Sequence, residues 1–199
     1  KVASLARGRS GVRPVIVDAL SRLLEREIYP VIPSKGSVGA SGDLAPLAHL
    51  AGALIGEGQV RIQGEITSAS EGLSVAELAP LVLGPREGLA LLNGTQVSTA
   101  LALGGLFEAE DLLLAAVVAG AMAVEASKSS HTPFDERIHT ARGQRGQAII
   151  AAAFRSFLTG SAINESEKNS GRVQDPYSVR CQPQVLGACL DLMRSSAEI

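Results

Sequence analysis

Apolar residues recur mainly at helical spacing along this chain, with one short stretch of strand-like alternation. After Pro14, positions Ile16, Leu20, Leu23, Leu24 and Ile28 fall on one side while Arg22, Glu25 and Arg26 take the other, which predicts an amphipathic helix that stops before Pro30. A glycine-rich segment from Pro33 to Asp43 then feeds Leu44–Ile55, whose small and apolar residues predict a tightly packed, buried helix. Around Gln63-Gly64 the period changes to two, with Val60, Ile62 and Ile66, and a short surface hairpin is expected. Ser74-Val-Ala-Glu77 has capping-box spacing, and a short helix is expected to end at Asn93-Gly94.

From Thr95 to about Lys128 there is no proline and abundant Ala and Leu, which predicts one helix of roughly 30 residues, about 45 Å long. Leu112, Leu113, Leu114, Val117, Val118, Met122 and Val124 cover every face of it, so other helices must surround it. With 21 glycines permitting close approach, it reads as the central rod of a bundle that completes its burial across subunits, and an oligomer is expected. Further helices are expected from about Gln144 to Leu158 and from about Pro183 to Arg194, with the polar stretch Asn164 to Arg172 as a mobile loop between them. The fold class is therefore mainly α: a long-helix bundle with a small β-hairpin, residues 1–199 forming a single unit.

Composition narrows the function classes. The chain has 199 residues, 46% hydrophobic and 19% charged, with 18 basic against 20 acidic side chains, an ordinary globular balance. A net charge of −2 and only four Phe, two Tyr and no Trp supply neither the basic field nor the stacking platforms that nucleic-acid binding needs. The apolar run Leu112–Val124 between Asp111 and Glu125 is shorter than the roughly 20 residues that cross a bilayer, so no membrane span is expected. The first residues lack the apolar core of a secretory signal, and a cytoplasmic location is expected. Cys181 and Cys189, about 12 Å apart if helical, are expected to be reduced, buried and structural.

The candidate chemistry sits in Gly36-Ser-Val-Gly39-Ala-Ser-Gly42. A P-loop would continue with Lys and Ser/Thr, but Asp43 follows and would repel phosphate, so no nucleotide is expected. A nucleophile elbow needs G-x-S-x-G after a strand, which Ala40-Ser41-Gly42 does not provide. His49, His131 and His139 show no ligand spacing, and no metal is expected. What remains is three of the smallest residues in a row, where the backbone can be compressed. Approach of the Gly42 amide nitrogen to the Ala40 carbonyl carbon would close a five-membered ring. Loss of water there and from Ser41 would leave a conjugated exocyclic methylene, a strong electrophile. By spacing alone, a small-residue turn before a helix is the commoner outcome. Asp43 either shapes this loop and assists dehydration or N-caps the next helix.

The run Gly36-Ser-Val-Gly-Ala-Ser-Gly-Asp-Leu-Ala-Pro-Leu-Ala-His49 resembles the prosthetic-group segment of the aromatic amino acid ammonia-lyases, nearest to their histidine branch. Glu87-Gly-Leu-Ala-Leu-Leu-Asn-Gly-Thr-Gln96 and Gln174-Asp-Pro-Tyr-Ser-Val-Arg-Cys-Gln-Pro-Gln184 match in the family's order. The resemblance implies the ammonia-lyase and fumarase-like bundle, and cyclisation of Ala40, Ser41 and Gly42 to 4-methylideneimidazol-5-one (MIO), with Ser41 supplying the methylene. It implies elimination of ammonia from L-histidine to give urocanate, or, as alternatives, a phenylalanine or tyrosine ammonia-lyase or an aminomutase. Asn93 would hold and polarise the ring, Arg180 would pair with the substrate carboxylate, Tyr177 would stand beside the prosthetic group and Gln174 near the substrate. It also implies a homotetramer with sites built from several subunits, and a chain truncated at both ends, with further site residues upstream of Lys1 and beyond Ile199. Where the family carries Arg-Pro-His-x-Gly-Gln, this chain reads Ala141-Arg-Gly-Gln-Arg-Gly-Gln147, without the Pro-His pair. The reading from a different class is a noncatalytic helical assembly module in which the Ala40-Ser41-Gly42 turn stays open.

Overall fold

A computed structural model describes residues 1–167 and 172–199. Expected as one unit, the chain divides into two compact ones, Lys1–Ala102 and Leu103–Ile199. The architecture is mainly α with one small antiparallel sheet.

The first unit holds α1 (Val2–Ala6), α2 (Pro14–Glu25), β1 (Ile28–Pro30), α3 (Leu44–Leu54), β2 (Gln59–Ile62), β3 (Glu65–Ser68), α4 (Ala69–Val75), α5 (Glu87–Leu92) and the start of α6 (Gln96–Ala126). Pro14 opens α2, where its missing N–H costs nothing. The predicted continuation of α2 through Ile28 does not occur. Glu27 takes a left-handed φ of 55°, Ile28 enters β1, and Leu24 is left exposed. β1 joins the expected hairpin to make a three-stranded sheet, pairing Ile28 with Ile62 and Pro30 with Val60. Proline is tolerated there because β1 is an edge strand. Gln63 and Gly64, at φ 48° and 92°, make the left-handed two-residue turn. The hairpin is not a surface decoration: Val60 is 1% exposed and joins Ile28, Leu54 and Leu73 in the core, and a side chain at Gly72 would collide with it. The working helix cap also lies earlier than expected. Ser68 accepts from the Glu71 amide, so Ser-x-x-Glu acts six residues before Ser74, which sits in the last turn of α4.

The second unit continues α6 and adds a 3₁₀ turn (Thr132–Phe134), α7 (Glu136–Arg142), α8 (Arg145–Leu158), α9 (Ala162–Glu167), α10 (Tyr177–Arg180) and α11 (Gln182–Ala197). α8 and α11 touch backbone to backbone at Gly146 and Gly187, where any Cβ would overlap the facing chain. Phe134 and Phe154 stack beneath them with ring centroids 4.9 Å apart. On α6 only the stripe Val117, Gly120, Ala121 and Val124 is buried. The enclosure expected on every face is therefore met on one face within the chain, while Leu112, Leu114 and Met122 stand 70%, 62% and 66% exposed. Part of the stretch expected as a loop is helical, as α9, and residues 168–171 of it lie outside the described residues. Cys181 is buried and Cys189 is exposed rather than buried; both are free thiols. No helix among the described residues is long and apolar enough to cross a membrane.

Candidate functional site

The glycine-rich loop ends in three consecutive residues, Ala40, Ser41 and Gly42, before α3 begins at Leu44. Gly39, Ser41 and Gly42 all have positive φ, at 66°, 59° and 96°. For Ser41 this is a costly conformation that its surroundings must impose. Gly42 lies against the turn after α5: an added Cβ would stand 2.8 Å from the Gly94 nitrogen, 2.9 Å from the Gly94 oxygen and 3.2 Å from Asn93 Oδ1. The Asp43 amide donates to the Gly94 carbonyl at 2.7 Å. Only glycine fits at position 42, and Asn93, the α5 C-cap, is brought beside the tripeptide. Lys1 Nζ holds the same turn through the Asn93 carbonyl, at 2.6 Å.

Asp43 is 1% exposed. It stands at the N-cap position of α3 but its side chain caps nothing there. Oδ1 instead accepts from the Ser37 hydroxyl at 2.6 Å and the Ser98 hydroxyl at 2.5 Å, and Oδ2 accepts from the Ser98 amide at 2.8 Å. These bonds, Ser37 first and then Ser98, hold its carboxyl down at about 2 against the opposing effect of burial. The N-cap alternative for Asp43 is therefore corrected: the carboxylate ties the loop to the start of α6. Glu87 anchors the other side. Buried at 2% exposure, it accepts from Arg13 Nε at 2.9 Å, from the Arg13 amide at 3.0 Å and from the Gly84 amide at 2.6 Å. Arg13 is the main reason that its carboxyl sits at about 2.

In the second unit Gln174, Tyr177 and Arg180 share one segment. Gln174 is exposed, Tyr177 is 66% exposed at the start of α10, and Arg180 closes that turn. The Arg180 guanidinium lies 5.0 Å from the Tyr177 ring centroid, and its Nε donates to the Asp175 carbonyl at 3.2 Å. Among the described residues no carboxylate pairs with Arg180. Between them, Asp175 is buried at 8% exposure, with Oδ2 accepting from the Ser130 amide at 2.8 Å and Oδ1 from Arg172 at 3.0 Å. Burial opposes its ionisation, yet these donors keep its carboxyl below the ordinary range.

Sequence reasoning missed Ser37, Ser98, Glu87 and Asp175 as the anchors of these two segments. The Glu87 and Asp175 signals were available, as acids inside otherwise apolar or loop motifs; for the serines there was none. Among the described residues, no group of three His, Cys, Asp or Glu is gathered as for a metal ion.

A family model for aromatic amino acid lyase matches residues 1–199. Histidine ammonia-lyase of Paracidovorax citrulli is 61% identical over 199 residues, which are 100% of this chain and 39% of that protein. The chain thus spans about two fifths of this relative's length. Among solved structures, the phenylalanine aminomutase of Pantoea agglomerans matches with a TM-score of 0.86 and 30% identity over 99% of this chain and 41% of that one. Histidine ammonia-lyase from Trypanosoma cruzi matches at 0.80 and 32% identity, over 96% of this chain and 35% of that one. With the Ala40-Ser41-Gly42 turn inside a match that runs from the first residue to the last, this chain belongs to the aromatic amino acid lyase family.

Proposed function

We propose that the protein is an ammonia-lyase that converts L-histidine to urocanate and ammonia, using an MIO group made from Ala40, Ser41 and Gly42. The observation that carries this reading is the packing of Gly42 against the Asn93-Gly94 turn with Ser41 held at positive φ, which confines the tripeptide to a tight turn at the place where the ring would close. Histidine as substrate is supported by the 61% identity to a relative that bears that name.

The MIO group supplies an electrophilic methylene, which lowers the barrier to losing an otherwise weakly acidic β-proton. Asn93, beside Gly42, would hold the ring and polarise it with its side-chain amide. Arg180, without a carboxylate partner among the described residues and steadied by the Asp175 carbonyl, offers its terminal nitrogens to the substrate carboxylate through two parallel hydrogen bonds. The Tyr177 ring stacks on that guanidinium and limits its freedom, and Gln174 contributes a polar contact to the substrate. We assign the working form to a homotetramer. Leu112, Leu114 and Met122 on α6 support this, since covering each is worth roughly 1.5–3 kcal/mol. A cytoplasmic location agrees with the two free thiols.

The test is a turnover assay of the whole protein with L-histidine, L-phenylalanine and L-tyrosine separately, following the conjugated acid by its ultraviolet absorbance and the ammonia by a coupled assay. Turnover of histidine at least tenfold above the other two is expected. Turnover of phenylalanine or tyrosine instead would overturn the substrate, and a β-amino acid without free ammonia would overturn the elimination.

A further inference from the structure

We infer that Ser98 and Ser37 are positioning residues for closure of the Ala40-Ser41-Gly42 ring, acting through the Asp43 carboxylate. This rests on the MIO reading above. The loop is closed on itself before any covalent step. Ser37 Oγ accepts from the Gly39 amide at 3.2 Å and donates to Asp43 Oδ1 at 2.6 Å, so the residues on either side of the tripeptide are tied together. Ser98 fixes the same carboxylate to the first turn of α6 with both its hydroxyl and its amide, at 2.5 and 2.8 Å. The Asp43 amide meanwhile grips the Gly94 carbonyl.

With both ends held, the bend falls on the residues between, and Gly39, Ser41 and Gly42 are the ones found at positive φ. Ring closure forms the bond from the Gly42 nitrogen to the Ala40 carbonyl carbon. The Ala40 oxygen departs as water with the Gly42 and Ser41 amide hydrogens. The Ser41 hydroxyl departs as a second water with the Ser41 α-hydrogen, which leaves the methylene. Asp43 has Oδ1 occupied by two hydroxyls and Oδ2 by an amide, an arrangement suited to a tether. The two serines set how firmly that tether pulls Gly42 back towards Ala40.

The experiment follows the appearance of the two-water mass deficit in the peptide carrying residues 40–42 after cell-free synthesis of the whole protein, on material that elutes as the folded oligomer. Ser98→Ala slows the deficit roughly ten- to a hundredfold, Ser37→Ala slows it by a smaller factor, and Ser98→Thr, which keeps the hydroxyl, restores near-normal closure. Melting temperature, read in parallel, separates a positioning role from a structural one, which would lower folded yield without changing the closure rate of what folds. Closure at the unmodified rate in folded Ser98→Ala overturns the inference. If Ser98→Ala does not fold, Ser37→Ala at the unmodified rate does the same. Absence of the deficit from the unsubstituted protein removes the MIO reading itself, a different result from loss confined to the serine variants.

Discussion

Two segments, Ala40–Asp43 and Gln174–Arg180, each hang from a buried aspartate, and the two anchors are built differently. Asp43 is held by two hydroxyls and a backbone amide, with no cation. Asp175 is held by the Ser130 amide, by the Ser129 side chain and by Arg172, whose side chain is 44% exposed. The first anchor is neutral around the carboxylate, short in its bonds and locked to helix α6, which suits a backbone that must be bent. The second is partly an ion pair open to solvent, which suits a segment that presents Tyr177 and Arg180 to an arriving molecule. Under the proposed function, stiffness would sit where covalent closure is to occur and adjustable electrostatics where the substrate is to bind.

The largest expected effect falls on the first segment. Ser41→Ala removes the source of the methylene and should lower kcat for L-histidine by roughly 10³-fold or more, about 4 kcal/mol of barrier, with the two-water deficit lost in mass spectra. Next, Arg180→Lys keeps the charge but loses the planar fork. A fall in kcat/KM of about 10- to 100-fold, carried mainly by KM, is expected in steady-state assays, with the deficit at residues 40–42 intact. A change in the deficit would break the division of labour between the segments.

Salt sharpens the contrast further. Raising ionic strength from about 0.05 to 0.5 M should raise KM severalfold by screening Arg172–Asp175 and the Arg180–substrate pair, while the rate of ring closure stays constant. The smallest effect is on stability. Asp43 and Glu87 have folded-state values of about 2, below their ordinary ones, so the stability they confer is present above about pH 4.5 and is lost as pH falls through 2. His139 is buried, its Nε2 donating to the Pro133 carbonyl at 3.0 Å and its Nδ1 accepting from Gln147 at 2.9 Å. Burial lowers its value, so its contribution is lost earlier, below about pH 6.5. Melting curves from pH 8 to 2 should show both declines, and His139→Gln should remove only the upper one.

Helices with strong periodicity or clear stops were legible in the sequence. α3, α6, α8 and α11 lie within a few residues of their expected bounds, and Gln63-Gly64 marked its hairpin. What was not legible depended on partners distant in the chain. β1 is three residues ending in proline, with no alternation to read, and exists because β2 offers it an edge. Ile28 keeps its apolar burial while leaving the helix, since one left-handed residue at Glu27 reorients it. Within the candidate site, Ala40, Ser41, Gly42 and Asn93 could be named from motif and resemblance, and the structure brings Asn93 beside Gly42. Ser98 could not, because a serine near a helix start has many ordinary uses and only the fold shows it 55 residues away in sequence from its carboxylate. Gln147, in the stretch that departs from the family pattern, turned out to carry a buried hydrogen bond to His139.

The most direct test of the central claim is the intact mass of the whole protein, followed by mapping of the peptide that contains Ala40, Ser41 and Gly42. The account predicts a deficit of two waters located on those three residues. A peptide at its unmodified mass, in protein that nonetheless turns over histidine, would contradict it.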